Sequence, residues 1–303
     1  MKVTRRHFLK AVGAGAAAAG VTGYRLHAPR SAAAAPATDA QTCFPGGDYA
    51  EFYQLPTACP GEALEADEMR ITFLGTSCIP RLSQQGVSVY VEVGPTTEDD
   101  NGWPVPADYV MFDCGMGVLA NYIAAGIPYS RMDKIFLAHL HADHMSEISA
   151  IYCFGEANDR KSPLYVWGSA PSGVPDPVTG QIYQDGVRNT MSHLREAWRW
   201  HTESFSFGQN SFPTFVPPTQ ADWNTPEPLV PVGPTYRVNS LGEPMGGNYA
   251  DPYGGTAPNA NYDAYAMVPV ELDWQKVGGV AYWNKATGLK ITHFPAIHTR
   301  RAR

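Results

Sequence analysis

Phe136-Leu137-Ala138-His139-Leu140-His141-Ala142-Asp143-His144-Met145 is the stretch on which the reading of this chain turns. Lys134 to Ala138 is a short, mostly apolar run, the pattern of a buried strand. The apolar pattern then stops, and His139, His141, Asp143 and His144 follow in quick succession. Side chains alternate along an extended segment, so His139 and His141 leave the chain on the same side and can grip one cation. Asp143 and His144 fall where the chain turns into a helix expected from about Ser146 to Phe154, and that turn can redirect them to a second cation. The donors are nitrogen and oxygen, with no thiolate. Zn2+ fits such a set, and Mn2+ or iron accept the same donors.

Working outward, Met69 to Leu74 and Val87 to Val93 alternate as strands do, the second strongly β-branched. Pro95 to Pro106 is polar and broken by proline, so a loop is expected there, followed by a short strand from Tyr109 to Phe112. Val118 to Ala125 and Val187 to Trp200 have helical spacing, and Leu164 to Trp167 reads as a strand. Val277 to Trp283 and Leu289 to Phe294 flank Asn284-Lys285-Ala286-Thr287-Gly288, a hairpin that delivers His298 past its end. Between residues 203 and 265 proline, glycine and aromatics dominate, as in a long insertion. His193 and His201 read as surface or packing residues.

These stretches resemble the metallo-β-lactamase superfamily, in particular its ribonuclease Z and arylsulfatase-like branch. The His-x-His-x-Asp-His run from His139 to His144 is similar to its signature, and Ile71-Thr72-Phe73-Leu74-Gly75-Thr76-Ser77 to its opening strand and turn. Phe112-Asp113-Cys114-Gly115-Met116-Gly117 resembles its Asp-Cys-Gly-x-Gly turn, and Phe294-Pro295-Ala296-Ile297-His298 the segment carrying a third histidine. The resemblance implies an α/β fold, an αββα sandwich with the metal site at one sheet edge. It implies His139, His141 and His298 around a first metal, and Asp143 and His144 on a second, with Asp143 orienting the nucleophile. His298 is preferred to His293 because Phe294-Pro295-x-x-His298 matches the family spacing. The activity implied is that of a metal-dependent hydrolase of an ester, phosphodiester or sulfate ester. The alternatives are a β-lactamase or lactonase, or a non-catalytic metal-binding remnant. Superfamily members normally continue with strands that carry a bridging aspartate and a further histidine. No residue here matches either, so the chain reads as the N-terminal portion of a longer domain, incomplete at its C-terminus and binding one metal firmly at most.

The 303 residues carry a formal charge of −7. Lys2, Arg5, Arg6, Lys10, Arg25 and Arg30 supply six positive charges before the first acid, and without them the balance is −13. An acidic body argues against nucleic acid, because phosphate contacts need Lys and Arg. The reading is therefore of a small-molecule ester substrate and no nucleic acid. Thr4-Arg5-Arg6-His7-Phe8-Leu9-Lys10 matches a twin-arginine export motif. The Ala/Gly run after it is too short for a stable membrane span. The expected organisation is a signal peptide over 1–37, a lead-in segment over 38–68 and the metal-binding domain over 69–303. The twin-arginine translocase would be a partner during export, with a periplasmic or secreted destination. Cys43 and Cys59 can pair in an oxidising compartment, and Cys78, Cys114 and Cys153 read as small buried residues.

Overall fold

The computed structural model describes residues 63–79, 84–99, 104–198, 201, 215–232, 264–296 and 298. The twin-arginine stretch, the Cys43–Cys59 pair and most of the 203–265 insertion lie outside them.

The chain opens with β1 (Met69–Gly75), β2 (Ser88–Glu98) and β3 (Pro104–Phe112), consecutive antiparallel partners. Helix α1 (Val118–Ala124) and a 3-10 turn, Tyr129–Arg131, lead into β4 (Lys134–Phe136), which pairs parallel with β3. One turn of helix, α2 (Ala142–Met145), precedes α3 (Ile148–Asn158) and β5 (Leu164–Ser169). Helix α4 (Val187–Ala197) and the single turn α5 (Gln220–Trp223) come before β6 (Met267–Leu272). Strands β3 to β6 run parallel, so the six-stranded sheet is mixed, in the order β1-β2-β3-β4-β5-β6. Strands β7 (Gly279–Asn284) and β8 (Leu289–His293) form a separate antiparallel hairpin.

Alternation along the strands divides the core in two. Tyr90, Met111, Ile135, Leu164, Val166 and Met267 face one side and pack on Val118, Tyr122, Ile148, Ile151, Tyr152, Val187 and Met191 of the three longer helices. Val91, Val110, Phe136, Tyr165, Trp167 and Val270 face the other side and pack on Ala281, Tyr282 and Leu289 of the hairpin. Strand β4 and the first five residues of β5 are buried on both faces, which is why they read as continuous apolar runs. The expected mixed α/β architecture with a central sheet is what the structure has. Among the described residues its second sheet is the two-stranded hairpin.

A buried polar knot fastens that hairpin. Asp108 of β3 is 1% exposed. Its carboxylate faces Lys134 Nζ at 3.1 Å and accepts hydrogen bonds from Tyr282 OH at 2.8 Å, Asn284 Nδ2 at 3.0 Å and Thr287 Oγ1 at 3.2 Å. The hairpin tip is thus tied to the start of β4. Its return strand, β8, runs back toward the end of the sheet where His298 lies.

Three expectations need correction. Pro95 to Pro106 is not a loop throughout: Thr96 pairs with Pro106, Thr97 with Val105 and Glu98 with Pro104, beyond a register shift at Val93/Thr96. Proline fits there because the outer end of a hairpin does not require every N–H to donate. The metal strand ends at Phe136, not Ala138, since Ala138 N–H turns to a side chain. Cys78 is exposed, whereas Cys114 and Cys153 are buried as expected. His193 is exposed, and His201 Nε2 lies 2.9 Å from the Cys153 carbonyl, so neither joins a site. His293 lies in β8 against Gly279, where an added Cβ would fall 2.2 Å from its Nε2. Among the described residues no helix is long and apolar enough to cross a membrane.

Candidate metal centre

The site forms where the parallel strands β3 and β4 end. Beyond β3 the chain turns sharply at Asp113, whose φ of 57° is unusual for a residue with a side chain. Beyond β4 it runs through His139 and His141 into α2, with His141 at the helix N-cap position. The two turns lock together through backbone hydrogen bonds. Cys114 N–H donates to His144 O at 2.7 Å, Glu147 N–H to Cys114 O at 3.0 Å and Val87 N–H to Asp143 O at 3.2 Å. Gly115 is required by the approach itself, since a Cβ there would lie 1.9 Å from Asp143 O.

Four imidazoles converge. The ring of His139 lies 4.5 Å from that of His141, 4.1 Å from His144 and 4.7 Å from His298, and His141 and His298 are 5.2 Å apart. One nitrogen from each of His139, His141 and His298 falls within 4.8 Å of the others, close enough to share an ion. His139 Nε2 is buried without a hydrogen-bond partner. A buried nitrogen left so costs desolvation energy, and a cation between the three rings would answer it. Burial and the neighbouring rings of His144, His141 and His298 lower the pKa of His139 to about 4. It therefore stays neutral, with a lone pair to offer. The donor set fits zinc chemistry with an open position.

Asp113, which the sequence reading left without a role in the site, orients His144. Its Oδ1 accepts Ala138 N–H at 2.8 Å and its Oδ2 lies 2.8 Å from His144 Nδ1. Burial alone would lower the His144 pKa, but the hydrogen bond and charge of Asp113, with Asp143, raise it overall. Burial raises that of Asp113. The two side chains hold a proton between them, and His144 Nε2 is left to face Asp143 Oδ2 at 3.3 Å. A carboxylate that holds one ring nitrogen so that the other can bind a metal is a recurrent device of metal sites. The signal was present in the sequence: an acid ends an apolar strand just before Gly115. Glu147 adds a second brace, its Oε1 accepting Gly117 N–H at 2.6 Å. All five residues expected in the site, His139, His141, Asp143, His144 and His298, are thus in one neighbourhood. Only the first, second and fifth form the tight cluster, with Asp143 and His144 beside it.

No family model matches the chain. Curated relatives are similar over part of it. A ribonuclease Z from Methanothermobacter thermautotrophicus is 30% identical over 107 residues, 35% of this chain and 30% of its own length. A ribonuclease BN from Proteus mirabilis is 28% identical over 107 residues, and one from Escherichia coli O1:K1 is 24% identical over 161 residues, half of its length. The chain therefore spans about a third to a half of the curated relatives it matches. Among solved structures, the metallo-β-lactamase fold protein YhfI from Bacillus subtilis shares 20% identity at a TM-score of 0.27, covering 33% of this chain and 38% of its own. The short form of human tRNase Z shares 24% at 0.25, covering 33% of each. Overlaps that small decide nothing about the fold, which stands on its own sheet and core. The relatives do overturn one expectation. A small-molecule ester substrate without nucleic acid was inferred from the acidic charge, yet the similar proteins are ribonucleases. Net charge averages over the whole surface, whereas a nucleic acid meets only one part of it. The shared ribonuclease Z and BN similarity supports the metallo-β-lactamase superfamily that the histidine motif pointed to.

Proposed function

We propose that this chain carries the metal centre of a metal-dependent hydrolase that cleaves phosphodiester bonds in RNA. The observation that carries the reading is the cluster of His139, His141 and His298 nitrogens within 4.8 Å, with the buried Nε2 of His139 unpartnered. Similarity to ribonucleases Z and BN supports the substrate class. The three histidines would hold a first ion, zinc by preference, and Asp143 with His144 would serve a second. Such ions supply Lewis acidity toward a phosphoryl oxygen and acidify water.

The protein's own groups do the rest. Neutral His139 offers a lone pair from a buried position. Asp113 would keep the His144 proton on Nδ1, which leaves Nε2 facing Asp143. Asp143 lies beside His144, with Oδ2 3.3 Å from His144 Nε2, and would take the proton of an attacking water. The Thr4–Lys10 motif adds the proposal that the protein is exported by the twin-arginine route. Cell fractionation of the Arg5→Lys/Arg6→Lys form tests it, and unchanged export would remove it.

The central test is metal analysis after dialysis, together with cleavage of a labelled RNA, for the wild-type protein and His139→Ala. The expected result is stoichiometric zinc and RNA cleavage that both fall away in the variant. A folded wild-type protein that takes up no zinc, manganese or iron would overturn the reading.

A further inference from the structure

An RNA substrate needs cations to meet its phosphates, and among the described residues few are exposed. Among the described residues Arg131, Lys134, Arg160 and Arg195 are buried. Arg70 is held by Glu92 and Arg188 by Glu227. Lys161, Lys276, Lys285 and Lys290 remain exposed. Three of these four lie on the β7–β8 hairpin or the turn leading into it, the element that continues to His298. Residues 279–298 contain no Asp or Glu.

The outward face of the hairpin is also aromatic. Trp283 pairs across the strands with Lys290 and is 36% exposed. Lys290, Thr292 and Phe294 alternate outward, while Leu289, Ile291 and His293 turn inward. Phe294 is 59% exposed. The ammonium groups of Lys285 and Lys290 sit 5.4 and 5.1 Å from the Trp283 ring centroid. Two exposed rings and two lysines, with no acid in their own stretch of chain, thus form one stripe leading toward the third histidine of the metal cluster. Lys290 and His298 are separated by at most about 27 Å of extended chain.

We propose that this stripe is a track for single-stranded RNA, resting on the reading of the chain as an RNA phosphodiesterase. Bases stack on Trp283 and Phe294, and Lys285 and Lys290 meet the phosphates. Stacking on an exposed ring is indifferent to base identity, and lysines flanking it follow the backbone. The track would hand the strand toward the metal centre without reading its sequence.

The test is fluorescence anisotropy with a short labelled 2′-O-methyl oligouridylate, which resists cleavage, in chelator and over a range of salt. Trp283→Ala should weaken binding roughly five- to a hundred-fold, while Trp283→Phe retains most of it. Lys285→Gln/Lys290→Gln should reduce the salt slope of log affinity by about 1.4, some 0.7 for each phosphate no longer neutralised. Thermal melts establish that each variant is folded, which surface positions favour. A wild-type protein that does not bind the oligonucleotide, or variants with unchanged affinity and slope, would overturn the track. Zinc uptake measured on chelator-free aliquots of the same preparations keeps the two readings separate. Loss of RNA binding with zinc retained supports the track, and failure of zinc uptake with RNA binding intact defeats only the metal centre.

Discussion

Strands β3 and β4 carry two polar clusters, and the two are built on opposite rules. At the middle of β3 and the first residue of β4, the Asp108 carboxylate is met by Lys134, Tyr282, Asn284 and Thr287. Beyond their finish, His139 has rings on three sides and no partner for its buried nitrogen. The first cluster is complete within the chain and serves to dock the hairpin. The second has no such complement, and its donors are of the kind that can share an ion. Ser146 Oγ and Trp167 Nε1 are buried and bare as well, but His139 Nε2 lies among three other imidazoles, and it is that setting that points to a ligand.

That contrast breaks first if Asp108 can be removed cheaply. Asp108→Ala strands the Lys134 ammonium, whose side chain is 8% exposed, and should cost about 3–5 kcal/mol in chemical denaturation. A cost no larger than that of an exposed residue would show that the knot is not what fastens the hairpin. Asp113→Asn comes next. It should lower zinc affinity about 10- to 100-fold in chelator competition, with less effect on metal-free stability, because it disturbs the orientation of His144. Equal affinity would mean that the carboxylate serves folding alone.

The acid limb of metal-free stability sharpens the comparison further. His139 has a folded pKa near 4, below the ordinary 6.5. The unfolded chain therefore takes up its proton first, and the contribution of neutral His139 is lost as pH falls from about 6.5 toward 4. His144 works in the opposite sense. Its raised pKa adds stability at low pH that is lost as pH rises through the folded value. Thermal melts from pH 4 to 7 should thus flatten on the acid side in His139→Ala and lose the opposing slope in His144→Ala. Smallest of all should be His141→Ala in the absence of metal. It removes a crowded ring that makes no tight hydrogen bond, and should move stability by about 0.5 kcal/mol or less.

Much of the metal loop was legible because its chemistry is local. His139, His141, Asp143 and His144 occupy neighbouring positions after one strand, and strand alternation says which of them share a side. His298 was reached through the resemblance of its flanking Phe294-Pro295, since nothing in local spacing links it to residues 154 or more positions earlier. Asp113 was visible as a turn residue but not as the partner of His144, because the parallel pairing of β3 and β4 is what brings the two turns together. The Asp108 knot could not be seen at all. Its hydrogen bonds to the hairpin span 174 to 179 positions, and tyrosine, asparagine and threonine at a hairpin tip look like ordinary turn chemistry. The charge argument misled because a sum over residues has no geometry, whereas three of the four exposed lysines among the described residues lie on or just before one hairpin.

The amino-acid sequence by itself determined the pieces: which runs are buried on both faces, where the helices lie, and that a nitrogen- and oxygen-rich loop follows the β4 segment. Hydrophobic periodicity and donor chemistry act over a few residues, so they can be read along a line. Tertiary structure alone decided which carboxylate braces which imidazole and how the hairpin that leads to His298 is fastened to the sheet. Those are matters of register and packing, and each depends on strands that find one another only when the sheet has formed.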